Sequence, residues 1–270
     1  MNNKISLRTP LFSFCRLMSF IVISSFVSAA NATVVEIQTN VGNFQVNLFD
    51  NDAPLTTANF LSYVNSGAYA ANTVHRSDPG FVIQMGGFQY NNVFPPGPIA
   101  TGTAVINEPV LSNVRGTIAM AKLSGNANSA TSQFFVNLSN NAANLDPQNG
   151  GFAVFGQVIG DGMDVVDQIA ALDRFNFGGA FGELPLSNYT STDAANNVDP
   201  TDNNLVIVTD IVVVDATVIT NPNLNPARNT LINSGGGGGN GGQSDSGGGS
   251  VSFGLIIGLL LIALRKRVLN

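Results

Sequence analysis

A mainly β domain, a closed barrel capped by two helices, is the fold the sequence predicts, and three observations predict it. Short runs of β-branched and aromatic residues recur between turn-forming residues. Only two stretches carry helical spacing. The last apolar run is long enough to return and pair with the first.

In chain order, residues 34–39 and 43–48 are β-type runs separated by Asn40-Val41-Gly42, the pattern of a hairpin. A helix is expected over 52–67, with Asp52 as cap, Pro54 in the first turn and Gly67 past the end. Ala58, Leu61 and Val64, with Phe60 and Tyr63 beside them, would form its buried face. Strands follow at 81–85, 117–121, 134–138 and 153–158. Residues 163–172 read as the second helix, apolar at Met163, Val165, Val166, Ile169 and Ala170, and 205–214 as the returning strand. Between them, 175–204 is dominated by glycine, asparagine, serine, threonine and aspartate and reads as a long surface loop. Its Asp193, Asp199 and Asp202 lack the alternation of oxygen ligands that a calcium loop requires.

Both ends differ in texture from the domain, which the composition bounds at 33–220. Lys4, Arg8 and Arg16 precede or flank an apolar run from Leu17 to Val27, and Ala30-Asn31-Ala32 closes it with a small-x-small pattern. Residues 1–32 therefore read as a secretory signal peptide. Cys15, the sole cysteine, lies inside that signal, so the exported chain would have no disulfide, zinc-thiolate or cysteine nucleophile. Residues 221–250 read as a flexible linker, almost all glycine, serine and asparagine from Ser234 onward. Residues 251–270 are a short apolar tail ending in Arg265-Lys266-Arg267. Its apolar stretch, the fourteen residues from Val251 to Leu264, falls short of the about 20 that span a bilayer, and the basic end would stay cytoplasmic. Such a tail is a sorting signal or a membrane anchor.

Charge narrows the function. Sixteen of the seventeen acidic residues lie in the central region, against five cations: Arg76, Arg115, Lys122, Arg174 and Arg228. That surface repels phosphate backbones, which argues against nucleic-acid partners. With so few cations, one inside a motif stands out.

The chemistry-bearing segments are Val74-His75-Arg76 leading to Pro79-Gly80-Phe81, Gln84-Met85-Gly86-Gly87, Arg115–Lys122, Ser132-Gln133-Phe134-Phe135, and Phe152–Gly156 shortly after Leu145-Asp146. Together they describe an apolar pocket with one arginine and one or two amides, a binding-site composition. It is poor in groups for acid-base or nucleophilic work. His75 is the only histidine, which rules out a histidine metal cluster, and Arg76 beside it disfavours an imidazolium. His75 is therefore expected to be structural. Gly235–Gly239 has neither the preceding strand nor the following lysine of a phosphate loop.

These segments, in this order, resemble a cyclophilin-type peptidyl-prolyl cis-trans isomerase of the bacterial periplasmic kind, from about Val34 to Asp215. The resemblance implies an eight-stranded antiparallel barrel with a helix at each end. It implies Arg76 as the catalytic residue and Phe81, Val82, Phe135, Leu145 and Phe152 as walls of a proline pocket. Gln84 would steady the arginine and the substrate, Gln133 would be a polar substrate contact, and Ala121 and Lys122 would present backbone to the bound peptide. Phe152 stands where the family often has histidine or tyrosine, and Val82 where many members have methionine. Asn144 stands where eukaryotic members carry the tryptophan used by cyclosporin. The tail, in turn, resembles the glycine-glycine (rhombosortase-type) sorting signals of Gram-negative bacteria. That implies a rhomboid-type protease as a partner and a periplasmic or cell-surface location.

The implied reaction suits such a site. Prolyl isomerisation breaks no covalent bond; its barrier of about 18–20 kcal/mol is lost amide resonance. A guanidinium can donate to the prolyl nitrogen once twisting has restored its lone pair, favouring the transition state over both planar forms. Arginine stays protonated and holds its donors in a fixed fork. No cofactor and no metal are needed. The expected substrates are proline-containing segments of exported polypeptides. The alternative expectation is an envelope-displayed module that binds proline peptides without significant turnover.

Overall fold

The computed structural model describes residues 33–217 and 220–233. The expected signal peptide, the glycine-rich stretch from 234 and the apolar tail lie outside the described residues. Among the described residues there are thirteen strands: β1 (Val34–Thr39), β2 (Phe44–Leu48), β3 (Asn72–Thr73), β4 (Arg76–Asp78), β5 (Val82–Met85), β6 (Phe88–Gln89), β7 (Gly97–Pro98), β8 (Thr117–Met120), β9 (Phe134–Asn137), β10 (Val154–Ile159), β11 (Asp173–Phe175), β12 (Leu184–Leu186) and β13 (Ile207–Asp215). The helices are α1 (Pro54–Asn65), α2 (Ala142–Leu145), α3 (Gly162–Ala170) and α4 (Ser191–Ala195).

Eleven strands form one antiparallel sheet in the order β4-β5-β9-β8-β10-β2-β1-β13-β3-β6-β7, while β11 and β12 pair apart. The expected closed, eight-stranded ring is thus corrected to a curled sheet with two free ends. The physical reason lies in the run from Asn72 to Asp78. It contributes β3 beside β13 in one half of the sheet and β4 at the opposite end, and breaks at Val74-His75 between them. There the Val74 amide donates to Val206 and the His75 amide to Gln84, so the kinked run faces both ends without completing a ladder. The returning strand pairs with the first as expected, from Val34 opposite Asp215 to Thr39 opposite Val208.

Period-two alternation gives each central strand two different buried faces. Ile83, Met85, Ile118, Met120, Phe134 and Val136 point to the main core, where they meet Phe60 and Tyr69. Phe60 and Phe134 stack edge to face with centroids 5.3 Å apart. The alternate residues Val82, Ala119, Phe135 and Val154 point the other way, into a second cluster with Leu111, Leu145 and Phe152.

Helix α1 begins at Pro54, but its cap is not Asp52. The Glu108 carboxylate accepts from the Leu55 and Thr56 amides at 3.2 and 2.8 Å, satisfying two of the free first-turn donors from another part of the chain. Asp52 instead pairs with Arg228 at 2.7 Å. The buried face of α1 runs through Thr56, Thr57, Phe60, Tyr63 and Val64, while Ala58 is exposed. Thr56 can be buried there because it also donates its hydroxyl to Glu108.

The 175–204 stretch is not a plain loop. Phe181, Leu184, Leu186 and Tyr189 form a third apolar cluster with Phe88 and Leu205, and Phe175 and Phe177 pack against it. Helix α4 is closed by a reciprocal Thr190–Asp193 capping box. The first part of the expected linker also lies against the domain. Arg228 bridges to Leu111, the Asn229 side chain donates to the Asp146 carbonyl at 3.1 Å, and Leu224 packs on the second cluster. A β-carbon at Gly151 would sit 2.9 Å from Ile232 Cδ1, so the strap ends against that loop.

Candidate active site

The site grows from one register row. Arg76 on β4 is opposite Gln84 on β5, Gln84 opposite Phe135 on β9, Phe135 opposite Ala119 on β8, and Ala119 opposite Val154 on β10. Directly opposed residues share a face, so the row carries a cation, an amide and an aromatic ring side by side. The β4–β5 connection is a tight turn in which the Phe81 amide returns to the Asp78 carbonyl at 2.9 Å. Pro79 supplies its restricted φ and Gly80 the positive φ of 78°. This turn delivers Phe81 to the rim.

Arg76, Phe81, Val82, Gln84, Ala121, Phe135, Leu145 and Phe152 line a single depression of about 270 Å³, open to solvent. Phe135 and Phe152 meet edge to face at 5.8 Å. Gln84 donates through Nε2 to Gln133 Oε1 at 2.8 Å, which brings Gln133 to the row from beside it. Gly87 makes room for that side chain: a β-carbon there would lie 2.7 Å from Gln133. Of the ten residues the sequence singles out, nine therefore gather around the depression.

Lys122 is the exception. Its side chain turns away and is buried. Nζ donates to the Asn149 carbonyl at 2.9 Å and also to Gly151, and sits 4.7 Å above the Phe152 ring. Burial lowers its pKa to about 8. Lys122 thus ties the 149–151 loop behind Phe152, and only its backbone remains available to a peptide. His75 is also buried, edge to face with Phe88 at 4.9 Å. Burial, the largest cause, lowers its pKa to about 3, and neighbouring Arg76 adds to the fall, against opposing contacts with Thr73 and Gln133. A neutral, enclosed imidazole is a structural group.

Several supporting residues were not anticipated. Arg76 donates from Nη2 to Asp78 at 2.9 Å and from Nε to Glu183 at 3.0 Å. Asn141 donates to the Phe81 carbonyl and to Asn137 Oδ1, at 2.9 and 2.8 Å, pinning one wall. Buried Asp146, next to Leu145, accepts from Ser112 Oγ at 2.6 Å and from the Asn113 amide at 2.8 Å, pinning another. The signal for Asp146 was present, an acidic residue directly after a wall leucine. Glu183 left none, because its partner is 107 residues away.

A β sheet curled around one core thus carries a second apolar cluster on its outer face, opening beside a guanidinium held by two carboxylates. Comparison with known proteins gives the family. A family model described as cyclophilin type peptidyl-prolyl cis-trans isomerase/CLD matches residues 34–190. A peptidyl-prolyl cis-trans isomerase of Acinetobacter baylyi is 44% identical over 164 residues, covering 58% of this chain and 84% of its own. Peptidyl-prolyl cis-trans isomerase A of Dickeya dadantii is 41% identical over 165 residues, covering 60% and 83%. A solved cyclophilin type peptidyl-prolyl cis-trans isomerase of Cryptosporidium parvum aligns with a TM-score of 0.47 at 24% identity, covering 71% of this chain and 99% of its own. The chain belongs to the cyclophilin-type peptidyl-prolyl cis-trans isomerase family and is an enzyme of that activity.

Proposed function

We propose that Arg76 performs the isomerisation by donating to the prolyl nitrogen of a twisted X-Pro amide, on proline-containing segments of exported proteins. The observation that carries this reading is the row of Arg76, Gln84 and Phe135 along one face at the edge of an apolar depression. The proline ring enters between Phe81, Phe135, Leu145 and Phe152, which hold it while the preceding carbonyl swings. Gln84 and Gln133 orient the peptide, and the backbone of Ala121 and Lys122 runs alongside it. Two of the five guanidinium N–H groups are taken by carboxylates, which leaves three for the substrate. Because the donor is aimed before twisting begins, it favours the transition state without reorganising.

The same reading extends to location. Residues 1–32 direct export, and the tail from 251 holds the enzyme at the envelope or hands it to a rhomboid-type protease for transfer to the surface. The charge pattern, Lys4, Arg8 and Arg16 at one end and Arg265-Lys266-Arg267 at the other, supports this.

The test is isomerisation of a short Ala-Pro peptide by the purified chain against its Arg76→Ala variant. A loss of about 10²–10³ in kcat, the usual effect of removing one transition-state donor, with peptide binding largely kept, is the expected result. Turnover that survives the change would show that another group does the work.

A further inference from the structure

We infer that Glu183 is a positioning residue for the isomerase reaction: it holds the Arg76 guanidinium in the attitude the twisted amide requires. This rests on the reading of Arg76 given above. Glu183 Oε2 accepts from Arg76 Nε at 3.0 Å, while Asp78 Oδ2 accepts from Nη2 at 2.9 Å. The two carboxylates grip the guanidinium at different nitrogens and leave both N–H groups of Nη1 unengaged. An isolated surface ion pair does little, because two long side chains must be ordered to make it. Here the ordering is already done. The Glu183 carbonyl accepts from the Ser77 amide on β4 at 2.8 Å, so the residue is fixed to the strand that carries Arg76. On either side of it, Phe181 and Leu184 are buried in the third apolar cluster. The Arg76 side chain is 26% and that of Glu183 40% exposed, so the anchored backbone, more than exclusion of water, holds the pair.

The 175–204 segment therefore has a task at the site. Its aromatic and leucine residues give it a core of its own, and that core presents one carboxylate to the guanidinium. Asp78 alone, two residues from Arg76 on the same short strand, engages only one nitrogen and leaves the fork free to rotate about it. A donor that wanders by about 1 Å can cost up to 10²-fold in rate.

The experiment is a double-mutant cycle on the full chain, read by Ala-Pro peptide isomerisation. Glu183→Ala should lower kcat on the order of tenfold and leave KM within about twofold. Glu183→Asp should recover part of the loss. In the Arg76→Ala background, adding Glu183→Ala should change nothing, which a merely structural role would not produce. If Glu183→Ala lowers the melting midpoint, Glu183→Met, similar in length but without the acceptor, carries the same test. Wild-type kcat in a stably folded Glu183→Met, or an equal fold loss with and without Arg76, would overturn the inference while leaving Arg76 in place. Wild-type turnover in Arg76→Ala would instead overturn the reading of the site and this inference with it.

Discussion

His75 shows how a residue beside the candidate site can matter through stability alone. Its folded pKa is about 3, against an ordinary value of 6.5. Between those values the unfolded chain binds the proton and the folded chain does not. Stability is therefore fully present above pH 6.5 and falls as pH drops toward 3, by about 1.4 kcal/mol per pH unit from this group. Denaturant titrations across that window should show a steeper acid loss in the wild type than in His75→Gln. A second prediction concerns Gly87, where a β-carbon would meet Gln133 at 2.7 Å. Gly87→Ala should push Gln133 off Gln84 and raise KM for the Ala-Pro peptide several-fold, with kcat less affected; an unchanged KM would show that Gln133 takes no part in holding substrate. At this scale most of the depression's lining was legible, because Arg76, Phe81, Gln84 and Phe135 sit in short, ordered motifs. What escaped were groups brought in from a distance, Glu183 above all, and the direction of Lys122. Sequence places a lysine beside the pocket but does not say that its ammonium will cap carbonyls of Asn149 and Gly151.

Among the elements, strands with a clear alternation were readable within a residue or two: β1, β5, β8, β9 and β10 all fall where short apolar runs stand in the sequence. The two-residue strands β3, β6 and β7 carry no periodicity to read, since their pairing is imposed by neighbours. The face of α1 was legible at Phe60, Tyr63 and Val64 but not at Thr56, which is polar by composition and buried with its hydroxyl on Glu108. The strap over 220–233 was hidden by its polarity, for it is held largely by backbone and asparagine contacts. It is nonetheless part of the pocket's support, with Leu224 on the cluster that holds Phe135, Leu145 and Phe152. Leu224→Ala should cost about 1 kcal/mol for a half-buried leucine, read as a lower denaturation midpoint. Deleting 220–233 should cost more and also weaken peptide binding. An unchanged midpoint on deletion would reduce the strap to a passive trailing segment.

For the whole molecule, the curled sheet depends on its farthest-separated strands. β1 lies between β2 and β13, and β13 carries β3 on its other side. A chain ending before β13 would leave the edges of β1 and β3 unpaired. Truncation at residue 204 should therefore give an insoluble or aggregating product, checked by sedimentation after expression. That the fold is mainly β was legible from the pattern of short strands; the open, curled form of the sheet and the split of the Asn72–Asp78 run between its two halves were not, because they follow from packing around Val74 and His75 rather than from local preference. The strap has one more consequence. Its Ile232 lies against Gly151, next to Phe152, so the described residues end beside a wall of the pocket. Under the attachment at the envelope proposed above, a short, flexible tether there would set an effective concentration in the millimolar range. An enzyme so fastened would meet neighbouring chains on the same surface as though they were part of its own, and its output would follow surface density more than the concentration of substrate in solution.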